Sequence, residues 1–285
     1  MPQIIDLPSV YLLGESKTNL NEIERYLMDI GNPKWRPDTN ISDAENLIIF
    51  AGKACYRSWE PFDPTKPNAT NPNVSSVRED PRQYILNILK SGHGSVLEHA
   101  SATFMFQNVT RVFTHEVCRH RAGCAISQES LRFVRLDHIR YWGPYSLTRP
   151  ETIFKKELEN GDIIIDQCKQ ALEIIEMQIS TCEQTQSKLA KIFNIDNMKN
   201  FTLKKKLTSM FRRVAPIGLS TCIVFSMNMR ALRHIIGMRS TPHAEEEIQL
   251  VFNKVGKIAK EKWPLIFQDM HQREDGTWEF EYPKI

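Results

Sequence analysis

The chain has 285 residues, 41% of them hydrophobic and 25% charged, with a formal net charge of +3. That is enough apolar material for one large domain or two modest ones, in ordinary globular proportions. The charge is too small to imply nucleic acid on its own, and no run of about 18 apolar residues offers a membrane span.

The first residues, Met1-Pro2-Gln3-Ile4-Ile5-Asp6, lack the basic start and apolar block of a secretory leader. The cysteines, Cys55, Cys118, Cys124, Cys168, Cys182 and Cys222, form no C-x-x-C pair. Their scatter argues against a disulfide framework or a zinc site and makes a reducing cytoplasm the expected compartment.

In chain order, 10–13 reads as a short strand ending at Gly14. Leu20, Ile23, Tyr26, Leu27 and Ile30 have helical spacing, and Gly31-Asn32-Pro33 stops that helix. Ser42 can cap a second helix running to about Tyr56, with Ala44, Leu47, Ile48 and Ala51 inward. The segment 60–77 holds Pro61, Pro64, Pro67 and Pro72 and reads as a loop. A helix resumes over 81–89. Over 101–109 the pattern alternates, Phe104 and Phe106 facing one way and Thr103, Met105 and Gln107 the other, as in a half-buried strand.

A short helix follows over 110–119, in which Arg111, His115 and Arg119 recur every fourth residue and share a face. It runs into a Gly-containing turn and a polar loop, and 139–150 reads as irregular. A long helix, broken near its middle, is expected over 161–193, with Ile164, Cys168, Ala171, Ile175, Ile179 and Cys182 on one side. Another spans 202–213 and halts at Pro216-Ile217-Gly218. The segment 219–227 is strand-like, with Thr221, Ile223, Phe225 and Met227 on one face. Asn228 can cap a helix to about Met238, a last helix covers 243–266, and the tail 274–285 is expected to be extended and to fray. There is no repeat, no heptad array and no Gly-x-Gly-x-x-Gly after a strand, which argues against a Rossmann fold. One α+β domain over 1–285 is expected, with a mixed or antiparallel sheet flanked by long helices.

Three clusters carry candidate chemistry. Arg119-His120-Arg121-Ala122-Gly123-Cys124-Ala125-Ile126-Ser127-Gln128-Glu129-Ser130-Leu131-Arg132-Phe133 places cations beside a turn, which suits an anionic ligand because arginine forks bind phosphate at two points. A solvated basic face is the plain alternative. His93-Gly94-Ser95-Val96-Leu97-Glu98-His99 offers donors and acceptors for a polar ring edge or a phosphate, although Ser95 with Glu98 three residues on could equally be a capping box. Asn228-Met229-Arg230-Ala231-Leu232-Arg233-His234 with Arg239 aligns Arg230 and His234 on one helix face, and its alternative is a solvated helix rich in i, i+4 charges.

Taken together, in this order, the clusters resemble the flavin-dependent thymidylate synthases, the ThyX family, from about 42 to 266 and most strongly over 42–140 and 204–266. The family signature runs Arg-His-Arg, seven residues, Ser, then Arg-Tyr. Here Arg119-His120-Arg121 reaches Ser130 across eight residues, and Phe133 replaces Tyr. The extra residue lies within 122–126.

The resemblance implies FAD as cofactor, dUMP, methylenetetrahydrofolate and NADPH as substrates, and a homotetramer with shared sites, with neither membrane nor nucleic acid as partner. It assigns flavin contacts to Ser95, Glu98, Arg119, His120, Arg121, Gln128, Asn228, Arg230 and His234. Nucleotide contacts fall to Glu116, Arg119, Gln128, Glu129, Ser130, Leu131, Arg132, Arg212 and Arg239. Arg239 is the catalytic residue, stabilising negative charge on the pyrimidine, and Ser130 positions rather than attacks. Glu116 stands where the family usually has Gln, and a carboxylate there needs protonation or a cationic partner such as Arg111 or Arg119.

Three rival readings remain. A Cys118 or Cys124 thiolate could attack the base. A related flavin- and folate-dependent enzyme could hydroxymethylate the nucleotide. A nucleic-acid-binding module could use Arg111, Arg119, Arg121 and Lys204 to Lys206.

Overall fold

The computed structural model describes residues 3–5, 7–31, 34–132, 138–154 and 161–285. Met1, Pro2, Asp6, the Asn32-Pro33 end of the first predicted helix, and Phe133 lie outside them. Strands β1 (Gln3–Ile5) and β2 (Ser9–Glu15) lead to helices α1 (Leu20–Asp29), α2 (Asp43–Tyr56) and α3 (Pro81–Lys90). A 3-10 helix, Gly94–His99, precedes β3 (Ser101–Thr110), α4 (Arg111–Val117), β4 (Cys124–Gln128) and β5 (Arg140–Trp142). Helices α5 (Tyr145–Thr148), α6 (Pro150–Phe154), α7 (Gly161–Ile192) and α8 (Phe201–Phe211) follow. The chain closes with β6 (Ser220–Asn228), α9 (Met229–Arg239), α10 (Glu246–Lys262), β7 (Met270–Gln272) and β8 (Trp278–Phe280). Among the described residues no helix is long and apolar enough to cross a membrane.

The architecture is α+β, with an antiparallel four-stranded sheet in the order β2-β3-β6-β4. The alternation read from the sequence is present in both central strands. Ala102, Phe104 and Phe106 of β3 are buried, as are Thr221, Ile223, Phe225 and Met227 of β6. The chain divides into two compact units, neither of them a contiguous stretch. One comprises 1–11, 105–119 and 126–224; the other comprises 12–104, 120–125 and 225–285.

In the first unit, β1 runs parallel to β5, pairing Gln3 with Arg140 and Ile5 with Trp142. The segment expected to be irregular therefore contains a strand and a short helix, and a second short helix starts at its last residue. The long helix expected to break is the continuous 32-residue α7. Its inward stripe is Ile165, Ile179, Gln186 and Ala190, whereas Ile175 faces solvent. Ile179 packs with Ile139, Tyr141 and Leu219. Polar side chains of α7 secure the same segment, because Glu183 accepts from the Ile139 N–H at 2.6 Å and Glu176 accepts from the Tyr141 hydroxyl at 3.1 Å.

In the second unit, Ser42 caps α2 in a full capping box with Glu45. Glu45 is buried all the same, and its other oxygen accepts from the Leu265 N–H at 2.7 Å. Ala44 and Ile48 are buried as expected, while Leu47 and Ala51 are only half-buried. Glu45, Asn46, Ile49 and Lys53 complete the inner face. The last helix is shorter than expected, starting at Glu246 and ending before Trp263-Pro264.

The tail does not fray. β7 and β8 form an antiparallel hairpin, and Trp278 is buried. Arg233 of α9 holds it in place. Its guanidinium takes Asp269 in two-point contact at 2.8 and 2.9 Å and also donates to the carbonyls of Ile266 and Tyr282. Asp269 in turn accepts from the Tyr282 N–H.

Removing one member of a buried ion pair strands the other charge. Asp269→Ala is therefore expected to cost about 3–5 kcal/mol, read by urea denaturation, and to expose the tail to proteolysis. Lys53 gives a pH test. Burial pulls its ammonium from 10.5 to about 8, against the opposing field of Glu79. Below pH 8 both states carry the proton. Between 8 and 10.5 the folded state sheds it and the unfolded state keeps it, so the contribution of Lys53 to stability should rise with pH across that window. Lys53→Met should remove that contribution, read as the difference between the variant and wild-type profiles, and a difference that does not change across the window contradicts it.

Candidate active site

In the second unit three segments far apart in sequence meet. Asn228 ends β6 and caps α9, its side-chain oxygen accepting from the Ala231 N–H at 2.8 Å. Its own N–H donates to the Gly123 carbonyl at 2.8 Å. At the other end of the same helix, Arg239 Nε donates to His120 Nε2 at 3.0 Å. A guanidinium can only donate, so His120 Nε2 carries the lone pair and the ring is the neutral tautomer protonated on Nδ1. His120 also meets His234 edge-to-face, ring centroids 6.2 Å apart. The loop 120–123 is thus fastened to both ends of α9.

The third segment joins through Arg230. Its Nη1 reaches the Glu98 carboxylate at 2.5 Å and its Nε reaches the Ile285 carbonyl at 2.9 Å. Glu98 therefore pairs with α9 instead of closing a capping box with Ser95, and the 3-10 helix Gly94–His99 has no side-chain cap. Nor is α9 a plain solvated helix, because Arg233 is buried and Arg230 and Arg239 are engaged. Ser95, Glu98, Arg121, Arg230 and His234 are exposed.

Two glycines permit this packing. Gly123 has φ +68, and a Cβ there would lie 2.2–2.7 Å from the Asn228 amide. At Gly94 a Cβ would meet the Ile285 main chain at 2.5 Å and Arg230 Nε at 2.8 Å.

The first unit holds the other predicted residues. Helix α4 stops at Val117, so Arg111 and His115 lie on it while Arg119 sits in the following turn, donating its N–H to the Glu116 carbonyl. Glu116 is half-buried and Arg119 exposed. The polar stretch expected to be a loop contains β4, the edge strand of the sheet. Just past it, the Glu129 N–H donates to the Cys222 carbonyl, and the Glu129 carboxylate lies 3.5 Å from the Thr221 hydroxyl and 3.6 Å from Cys222 Sγ.

Arg111 Nη2 donates to the Glu129 carbonyl at 2.7 Å. Its Nε is buried and has no partner among the described residues. Burial lowers the Arg111 pKa, with Glu129 opposing. The Gln128 amide donates to buried Thr114 at 2.7 Å. Ser130 Oγ accepts from the Arg132 N–H, and Thr208 of α8 donates to the Arg132 carbonyl at 2.8 Å. Leu131 packs on the Ile139, Tyr141, Ile179 and Leu219 cluster. Arg212 is exposed in the 3-10 turn after α8.

Arg111, Thr114 and Gly123 hold predicted site residues without having been singled out for that task. Arg111 and Thr114 are three apart on one helix face, a spacing visible in the sequence, but their targets are tertiary. Of the two thiols proposed as nucleophiles, Cys118 is exposed and Cys124 half-buried. Burial pushes Cys124 up to about 11, which disfavours a thiolate there.

Comparison with known proteins gives the family. The Thy1 family, described as thymidylate synthase complementing protein, matches residues 39–265. A flavin-dependent thymidylate synthase of Corynebacterium diphtheriae is 32% identical over 235 residues, covering 82% of each chain. One from Mycobacterium marinum is 33% identical over 211 residues, covering 74% of this chain and 73% of that one. In structure, the chain is similar to a UMP/dUMP methylase, PolB, from Streptomyces cacaoi bound with 5-Br UMP. That match has a TM-score of 0.60 and 17% identity, and covers 94% of this chain and 97% of that one. The chain belongs to the Thy1, or ThyX, family.

Gly123→Ala should push the Asn228 amide aside and free the 120–123 loop from α9. Hydrogen exchange at 120–125 is expected to rise, with a loss of about 1–3 kcal/mol in stability. Unchanged exchange would show that the loop does not depend on this contact.

Proposed function

We propose that the protein is a flavin-dependent thymidylate synthase, methylating dUMP to dTMP with methylenetetrahydrofolate and NADPH through FAD. The observation that carries the reading is the meeting, within one unit, of the 94–99 segment, the 120–123 loop and α9. These are the segments whose resemblance implies flavin contact. Relatives at about 30% identity bearing that name support it.

The donor set suits a flavin. Ser95, Arg121, Arg230 and His234 offer exposed hydrogen-bonding groups for a polar ring edge and for phosphates. When bound, FAD supplies the hydride that reduces the one-carbon unit taken from folate. The chain's own residues bind and polarise. Arg119, Arg132 and Arg212 are exposed guanidiniums suited to a nucleotide phosphate. Ser130, with its oxygen already accepting from Arg132, keeps its hydroxyl proton available to donate and serves to position. Arg239 stabilises negative charge developing on the pyrimidine, and the bond to His120 fixes the plane of its guanidinium.

The same reading makes the enzyme a cytoplasmic homotetramer. Exposed Ile174 and Met177 on α7 and Phe201 on α8 supply apolar surface for subunit contact. Glu116 and the longer signature loop keep hydroxymethylation as the nearest alternative outcome.

The test is purification, absorbance and product mass. The protein should carry a flavin spectrum and convert dUMP, assayed alongside UMP, to a methylated product with folate and NADPH. Arg239→Ala should lower kcat by about 10²–10³. A hydroxymethylated product would redirect the assignment. Colourless protein that leaves dUMP untouched and binds nucleic acid with steep salt dependence would refute it.

A further inference from the structure

Thr114 is fully buried in α4, and its hydroxyl stands between two groups of opposite need. The Arg111 carbonyl, 3.3 Å away, can only accept, so the hydroxyl proton points to it. That leaves a lone pair facing Gln128 at 2.7 Å, and only the NH₂ of the Gln128 amide can satisfy a lone pair. The polarity is set along a chain of three groups, from buried carbonyl to hydroxyl to amide. Turning the amide over would make the hydroxyl leave the Arg111 carbonyl to donate to Oε1, so the arrangement that keeps both bonds has the NH₂ inward. That leaves Oε1 as the amide's acceptor, and no partner takes it among the described residues. The junction is held at a second point from the same helix, because Arg111 Nη2 grips the carbonyl of the next residue, Glu129, at 2.7 Å.

We infer that Thr114 is a positioning residue that holds Gln128 with its carbonyl oxygen toward the ligand, and so selects a ring imide N–H. This rests on the functional reading above, together with the resemblance that assigns Gln128 to nucleotide and flavin. Uracil carries such an N–H between two carbonyls, and so does isoalloxazine. Cytosine presents a bare ring nitrogen at the equivalent place, and that acceptor would face the Gln128 acceptor. A site whose polar group is matched to a substrate N–H rejects the analogue that lacks it more strongly than an apolar pocket can.

The experiment compares wild type, Thr114→Val and Thr114→Ser. It uses titration calorimetry with dUMP and with dCMP, and fluorescence titration with FAD. Valine keeps the shape and removes the hydroxyl. The expected result in Thr114→Val is about tenfold weaker dUMP binding with dCMP unchanged, and a raised KM with kcat within about twofold, as lost uniform binding gives. Thr114→Ser should restore the wild-type values. The same weakening for FAD, with the dUMP to dCMP ratio unchanged, supports the inference with the flavin as the imide.

Thr114→Val that binds all three ligands like wild type overturns it. So does a Thr114→Ser that fails to restore binding while its thermal midpoint is unchanged. If Thr114→Val does not fold, Gln128→Leu, at a half-exposed position, should likewise weaken dUMP binding and lower the dUMP to dCMP ratio, and wild-type discrimination there is equally fatal. Wild-type protein that binds neither dUMP nor FAD ends this inference and the functional reading together. Binding wild type with an indifferent Thr114→Val ends this inference alone.

Discussion

Within the second unit, the fastening of residues 120–123 to the two ends of α9 is the constraint on which the candidate site depends. The helix cap Asn228 gives its backbone N–H to Gly123, and Arg239, eleven residues later, gives Nε to His120. One rigid rod of three turns therefore sets the spacing of both ends of the loop. Rigid elements hold site geometry better than loops do. This loop acquires a helix's precision by being tied to one.

A second device, inside the first unit, works by different chemistry. Here the fixing groups are a buried neutral hydroxyl and a half-buried guanidinium of α4, acting on the end of β4. Charges on the outside of this unit, Arg119, Arg132 and Arg212, are free to meet solvent. The division is physically sensible. Long exposed cations suit an anionic ligand that brings its own charge, whereas an amide is oriented by a buried partner that a second hydrogen bond holds in place.

Much of the frame was readable from pattern. Phe104 and Phe106 in β3 and the alternation in β6 announce buried strands, and Ser42 with Glu45 announces the start of α2. What pattern could not reach has tertiary causes. β4 is short, on the sheet edge, and carries Ser127 and Gln128, so nothing local distinguishes it from a loop. β1 and β5 are three-residue strands that exist through each other across a long separation. The hairpin of β7 and β8 stays ordered because Arg233 and Asp269 lie inside the protein, and no local rule places that pair. Among site residues, membership came from resemblance to the family whose model matches residues 39–265. The particular partners, His120 for Arg239 and Thr114 for Gln128, are facts of the fold.

The close approach at Gly94 ties together two regions that a reader of the sequence would treat as unrelated. The final residues run along α9 until Ile285 rests where any side chain at 94 would have to go, with Arg230 donating to its carbonyl. A larger residue at 94 and this route for the tail are mutually exclusive. In a lineage of such chains the two should be inherited as one trait. Chains with a bulkier residue at that position should send their tails elsewhere or lack them, leaving Arg230 to find another acceptor.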